Sequence, residues 1–375
     1  TAFFEALGVH YLGPFDGHDI AEIEDALRNA AEFNGPVVVH LLTQKGRGHA
    51  PAEQDPIKHM HDTGGVKVGS YTAAFTESIL KAAESRPEVV AITAAMPDST
   101  GLLPFRERFP ERCFDVGIAE QHAVTAAAGM AMGGLRPVVV LYATFLSRAF
   151  DQANLDVGLH GLPVVFCLDR AGITGDDGPS HHGVLDMVLL SKVPGMTILA
   201  PSSYQELQQM FEDALAITDG PVAIRWAKTP APHVGWDEVG RGLSARQVTV
   251  AAEDRTVCLL GAGKMLAATV EAAELLAADG VHATVWDPRC IRPLDETMLA
   301  DAAAHRLVVT TEDGFREGGF GTAVLDDLSS RSPATEVAVL GVPVAHHAHG
   351  NVDDLLASFG LDGPGIAATV LNRLA

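Results

Sequence analysis

The sequence has no CxxC pair, no basic excess and no apolar run of membrane-spanning length, and each absence excludes a class of function. Its four cysteines, Cys113, Cys167, Cys258 and Cys290, lie far apart. This spacing excludes a dithiol motif or a zinc ribbon. Cys113, Cys167 and Cys258 each border a predicted strand, so buried reduced thiols and a cytoplasmic setting are expected. Lys and Arg number 26 against 48 Asp and Glu, a net charge of -22. Nucleic acid and acidic membrane surfaces require a basic face, so neither is an expected partner. The longest apolar candidate, AGMAMGGLRPVVVLYATFL, is interrupted by Arg136, so no membrane span is expected. No signal peptide, internal short-period repeat or low-complexity tract is read.

The chain offers 375 residues, 47% of them hydrophobic. That length suits two or three α/β units, and burial is not limiting. Three segments separate. Residues 1–62 hold a predicted helix over 20–33, opened by the turn GPFDGHD, then the apolar strand PVVVHLL. One helix and one or two strands bury no core alone, so this segment reads as the end of a domain that begins earlier. HMHDTGG, with Gly64-Gly65, reads as a linker.

Residues 66–235 alternate apolar strands (VVAIT, Phe114–Val116, RPVVVLY, PVVFCLD, MTILAP) with helices over 72–85, 120–132, 147–158 and 204–216. On the first of these helices Phe75, Ile79 and Leu80 share a face. Strands this apolar between helices predict a parallel sheet covered on both faces. The proline-bearing GPVAIRWAKTPAPHVGWDE reads as a linker. Residues 245–375 repeat the pattern with TVCLLGAG, a helix over 267–278, HATVWDP, a helix over 295–305 and RLVVTTE.

Glu120 carries the chemistry. It opens the helix EQHAVTAAAGMAM just after a short strand, and the aromatic-rich LYATFLSRAFDQ follows. A carboxylate at a helix start has a purely structural use, since the macrodipole stabilises it by up to ~1 kcal/mol. The flanking residues are unusually small and apolar, however, so Glu120 enters a dry environment suited to sharing a proton with a ring nitrogen. Thiamine diphosphate needs such a carboxylate beside its aminopyrimidine; the cofactor supplies the reactive carbon and the electron sink.

FDVGIAEQHAVTAAAGMAMGG, YATFLSRAFDQ and LDRAGITGDDGPSHHG together resemble the 1-deoxy-D-xylulose-5-phosphate synthase family of the transketolase superfamily. GPFDGHD, KGRGHAPAE and PRCIRPLDE fit the same family. The resemblance spans essentially the whole chain. It implies a thiamine-diphosphate-binding α/β fold: the end of a diphosphate-binding domain (1–62), a pyrimidine-binding domain with a parallel sheet (66–235), and a transketolase C-terminal-like α/β domain (245–375). The implied reaction condenses pyruvate with glyceraldehyde 3-phosphate and releases carbon dioxide, in a homodimer.

The resemblance also implies roles. Glu120 activates the pyrimidine, and Phe145 stacks on it with Ile118 beside it; Phe145 would serve equally as a core aromatic. Tyr142 and Arg148 lie three residues either side of Phe145, a spacing that lets all three face one cleft. Arg148 and Arg170 would grip a substrate carboxylate or phosphate, although either would also serve as an ordinary ion-pair residue. Asp177 and His181 lie in a loop beyond a strand end, where parallel sheets bind ligands. They would act on the sugar acceptor, or satisfy each other in a local hydrogen bond. His182 is assigned no role. His61 would face the donor, with His59 two residues away; a His-x-His pair also has metal-binding form but shows no third ligand.

Two positions depart from the family pattern. His49 stands where an aromatic follows KGRG near the cofactor. Lys228 stands where an arginine holds the acceptor phosphate, keeping the charge and losing the bidentate fork. Lys45, before the Gly46-Arg47-Gly48 turn, would approach the diphosphate. No GDG motif with its following asparagine is present, so the Mg2+ ligands are expected in an N-terminal portion of the same enzyme. Two other readings remain open: the beta subunit of a 2-oxo acid dehydrogenase, and a non-catalytic partner module. The first 60 residues argue against the former.

Overall fold

The computed structural model describes residues 2–56, 59–61, 66–251 and 255–375. It divides into two compact units, residues 1–64 and 65–375. The expected linker at Gly64-Gly65 lies outside the described residues.

In the first unit, strands His10–Asp16 and Val37–Leu42 pair in parallel across helix Ile20–Ala31. Asp19 starts that helix, its carboxylate accepting from the Ala21 and Glu22 amides, which satisfies two otherwise orphaned donors. The segment expected as the turn GPFDGHD is strand in its first half. Phe15 and Asp16 pair with Leu41 and Leu42 beyond a register shift at Gly13-Pro14. Proline lacks an amide hydrogen, so it interrupts the ladder there without ending it.

The second unit contains two sheets. The larger has seven strands in the order Cys290–Arg292, Thr197–Leu199, Val222–Arg225, Val165–Asp169, Arg136–Tyr142, Val89–Thr93, Cys113–Asp115. All pairings among its 89–225 strands are parallel. Five of these strands are buried along their whole length, which explains why they read as continuous apolar runs instead of alternating ones. Helices Tyr71–Ser85, Glu120–Met132 and Tyr204–Ala216 cover the sheet. Phe75 and Ile79 are fully buried on the first of them.

Two expectations fail here. Val222–Arg225 is a central strand, although GPVAIRW reads as linker. Its flanking prolines are loop signals, but Val222, Ala223 and Ile224 fill the gap between the 165–169 and 197–199 strands. The expected 147–158 helix is a 3-10 turn at Phe145–Ala149, a short α segment and a wider π turn at Ala153–Gly158. Such irregular turns change the direction in which side chains project, and they concentrate at functional sites.

The second sheet orders Glu336–Val342, Leu307–Phe315, Val257–Gly261, Ala283–Asp287, Arg246–Thr249, with the last strand antiparallel. Helices Met265–Ala278, Phe320–Arg331 and Gly363–Leu374 pack on it. The two sheets share a core. One apolar cluster runs from Ile92 and Leu168 through Leu190 and Ala200 to Leu260 and Phe320. Arg225 adds a buried polar tie, donating to Asp186 at 2.7 Å and to Asp313 at 2.6 Å. No helix among the described residues is long and apolar enough to cross a membrane. All four cysteines are free; three are buried and Cys113 is half-buried.

Candidate active site

Strand ends and helix starts on one edge of the seven-stranded sheet bring most of the expected residues together. Glu120 is the first residue of its helix and is 2% exposed. Its Oε1 accepts from Arg148 Nη1 at 2.9 Å. Its Oε2 is buried with no hydrogen-bond partner among the described residues. A buried carboxylate oxygen without a donor is costly, so the site holds a ready acceptor for an external group. The aminopyrimidine of thiamine diphosphate fits this need.

The 3-10 turn sets the aromatic wall. Tyr142 ends its strand and stacks on Phe145 at 5.6 Å between centroids, with planes 14° apart. The Arg148 guanidinium lies 5.2 Å from the Phe145 ring centre. Tyr142, Phe145 and Arg148 thus converge as their spacing predicts. The pairing of Arg148 with Glu120 was not expected. Half of the Arg148 side chain stays exposed, so it retains donors for an anionic ligand. Ile118 is exposed at 79%.

Arg170 follows the Val165–Asp169 strand with φ +59°. This left-handed backbone is unusual for a bulky residue and costs about 1–3 kcal/mol. Buried neighbours hold it: Asp169 accepts from the Arg170 amide at 2.7 Å, pairs with its guanidinium at 2.8 Å, and accepts from Thr72 Oγ1 at 2.7 Å. The Ser99 carbonyl accepts a further guanidinium hydrogen bond at 2.8 Å. The guanidinium then lies 4.3 Å from the Tyr142 ring centre, a favourable cation–π placement. Burial pushes the Tyr142 hydroxyl up to about 12, so it is a neutral donor at ordinary pH.

The loop after this strand carries Asp177 and His181. His181 meets Phe145 edge-on at 5.5 Å and Tyr142 at 6.4 Å. Its Nδ1 bonds with Ser180 Oγ at 2.9 Å. Asp177 pairs with Lys228 Nζ at 2.6 Å. The local Asp177–His181 bond left open by the sequence is therefore replaced by these two separate partners.

His61, His49 and Lys45 belong to the first unit. All three are exposed. His49 precedes the short helix Ala50–Glu53 and makes no side-chain cap bond. His59 is half-buried, its Nδ1 3.1 Å from the Ala52 carbonyl oxygen. Among the described residues, neither His59 nor His61 belongs to a metal-ligand cluster. Cys258, Asp301 and His305 form one, but Asp301 already accepts from Arg255 and Trp286.

Thr72, Ser99 and Asp169 were not legible as site residues. Thr72 and Ser99 act through partners distant in sequence, and Asp169 adjoins Arg170, which it holds, but carries no role that its own motif shows.

The pyrimidine binding domain model of transketolases matches residues 68–232. The transketolase C-terminal domain model matches 246–366, and a 1-deoxy-D-xylulose-5-phosphate synthase model matches 1–43. A 1-deoxy-D-xylulose-5-phosphate synthase 1 of Kitasatospora griseola is 46% identical over 97% of this chain and 58% of its own. That of Leifsonia xyli is 45% identical over 100% and 59%. The chain belongs to the 1-deoxy-D-xylulose-5-phosphate synthase family. It spans about three fifths of these relatives' length. Among solved structures, the β chain of a split-gene transketolase, described as an inactive β4 tetramer, matches at TM-score 0.72 and 28% identity, over 81% of this chain and 97% of that one. A transketolase from Pichia stipitis matches at TM-score 0.67 and 14% identity, over 82% of this chain and 46% of that one, which supports the fold. The transketolase-type α/β fold expected from the sequence is thus the fold of this synthase-family chain, and membership in the family implies dependence on thiamine diphosphate.

Proposed function

We propose that this chain carries the pyrimidine-side half of a transferase that joins pyruvate to D-glyceraldehyde 3-phosphate, giving 1-deoxy-D-xylulose 5-phosphate and carbon dioxide. The observation that carries this reading is the buried, unpartnered Glu120 Oε2 beside the Tyr142–Phe145 stack. Bound thiamine diphosphate supplies a nucleophilic carbon and an electron sink. Glu120 would hold and return the proton on a pyrimidine nitrogen, and Phe145 and Ile118 would fix the ring. His49 and Lys45 belong to the same proposal on the diphosphate side, and His61 on the pyruvate side. Arg148 and Arg170 would bind donor carboxylate or acceptor phosphate. Tyr142 and His181 would donate and move protons at the acceptor aldehyde. Lys228, already braced by Asp177, would meet the phosphate. Both substrates are anions and the chain carries -22, so a local group of cations is needed to draw them in.

The proposal includes domain limits of 1–62, 66–235 and 245–375, Mg2+ held by an N-terminal portion, and a homodimer. Exposed apolar side chains near the Glu120–Met132 helix, Ile118, Met132 and Leu159, support association. A second reading has its own support: the split-gene transketolase chain similar to this one is described as inactive. On that reading the chain turns over only once a diphosphate-binding portion joins it.

The test is pyruvate consumption by the chain mixed with a diphosphate-binding portion, thiamine diphosphate and Mg2+, with and without glyceraldehyde 3-phosphate. Turnover that depends on the sugar phosphate is expected. Consumption indifferent to the sugar phosphate would exclude this acceptor.

A further inference from the structure

The segment carrying Asp177 and His181 is an excursion closed at its neck. The Gly172 amide donates to the Gly183 carbonyl at 2.9 Å, and the Gly183 amide to the Gly172 carbonyl at 2.8 Å. Between these points the backbone passes through left-handed positions at Gly175 and Gly178. A neck alone does not fix the far end of such a loop, because ordering each residue costs ~1–2 kcal/mol of conformational entropy. The far end rests on residues 346–352 of the second sheet's module. The Gly350 amide donates to the Gly175 carbonyl at 3.3 Å. A Cβ on Gly178 would stand 3.5 Å from the His349 side chain.

His182 sits between loop and support. It is 6% exposed, whereas the neighbouring His181 is half-buried and faces the aromatic wall. The Thr174 amide donates to His182 Nδ1 at 3.1 Å, and the Thr174 hydroxyl lies 3.2 Å from the same nitrogen. On the other side of the ring, Nε2 lies 3.4 Å from the Ala348 carbonyl oxygen. An amide only donates, so Nδ1 must carry a lone pair. A carbonyl only accepts, so the proton belongs on Nε2. The two partners thus select one neutral tautomer, and burial favours the neutral ring by lowering its pKa.

We infer that His182 is a positioning residue whose Nε2-protonated ring staples the Asp177–His181 loop to the 346–350 segment. It touches no reacting atom. It holds the start of the loop, at Thr174, and the end of the loop, at its own backbone, against a third segment, so His181 and Asp177 are presented with little freedom. The staple itself rests on geometry; its consequence for the sugar acceptor rests on the function proposed above.

Ring 15N shifts of His182 in the unsubstituted chain test the tautomer without perturbing the fold. A protonated Nε2 and an unprotonated Nδ1 at neutral pH are expected; the reverse tautomer, or a doubly protonated ring, would overturn the inference. Hydrogen exchange on the full chain tests the staple. His182→Phe keeps the ring and removes both polar partners. His182→Gln offers an oxygen to Thr174 and an NH2 to Ala348. Amides of 173–183 should exchange ~10-fold faster in the Phe variant and within ~2-fold of the parent in the Gln variant. The Tyr204–Ala216 helix should be unchanged in both. Wild-type exchange in the Phe variant, or equal loss in both, would sink the staple. In the assembled enzyme, His182→Phe should raise the KM for glyceraldehyde 3-phosphate about 5-fold or more while leaving that for pyruvate unchanged, since only the acceptor loop is loosened. His182→Gln should restore it. Faster exchange with an unchanged KM would overturn the acceptor role given to the loop and leave the staple standing.

Discussion

At the scale of single residues, the site is a chain of pairings between groups far apart in sequence. Arg148 and Glu120 are 28 residues apart, and Lys228 and Asp177 are 51. Each side chain was legible singly from its motif; the partners were not, because only the fold brings them together. Tyr142, Phe145 and Arg148 were legible as a group, since one strand end and one turn determine their relative directions. The role proposed for Glu120 predicts a clean loss. Glu120→Ala should cut turnover of the assembled enzyme at least ~100-fold, the ordinary worth of a positioned proton carrier. The fold should survive, because water solvates the half-exposed Arg148 left behind. Turnover near wild type with an unchanged circular dichroism spectrum would remove Glu120 from the mechanism.

At the scale of elements, a buried acid caps a helix in the second sheet's module. Glu312 Oε1 accepts from the Gly321 amide at 2.8 Å, and Oε2 from the Phe320 amide at 3.0 Å, at the start of Phe320–Arg331. Burial nonetheless pushes its carboxyl up to about 8 from 4.5. The folded state therefore binds a proton that the unfolded state has released, and its stabilising effect is fully present below 4.5 and lost as pH rises through 8. The slope is about 1.4 kcal/mol per pH unit within that window. Glu312→Gln cannot titrate, so wild-type stability minus variant stability should fall between pH 4.5 and 8 in denaturant melts. A constant difference would show that Glu312 is ionised throughout.

Element boundaries were legible where helix and strand signals were uninterrupted. Glu120–Met132, Arg136–Tyr142 and Tyr204–Ala216 occupy the residues their patterns predict. They were not legible where proline or glycine spoke locally against a long-range pairing, as at Val222–Arg225 and His10–Asp16. Glu336–Val342 and Gly363–Leu374 carried no reading, although buried packing makes them regular.

At the scale of the whole molecule, the chain matches a pyrimidine binding domain over residues 68–232, and its sequence holds no GDG motif. Calorimetry on the chain alone should therefore show weak thiamine diphosphate binding with no gain from Mg2+. Tight, Mg2+-dependent binding would mean that this chain holds diphosphate ligands its motifs do not reveal. The buried Arg225 tie gives the same scale a structural meaning. Two carboxylates from separate modules share one guanidinium, so removing Arg225 would leave both Asp186 and Asp313 buried without their shared cation, whereas removing either aspartate would leave an Arg–Asp pair.

The antiparallel strand Cys290–Arg292 also has a consequence for the order of folding. It completes the edge of the seven-stranded sheet beside Thr197–Leu199, roughly ninety residues earlier, and closing such a loop from a flexible chain costs about 4 kcal/mol. Pairing of Val222–Arg225 with Thr197–Leu199 shortens that loop to the stretch between residues 225 and 290, and gathering of strands 246–249, 257–261 and 283–287 shortens it further. The first sheet's last edge is therefore sealed late, after the second sheet has begun, and a nascent chain stopped before residue 290 would carry an unfinished, adhesive edge.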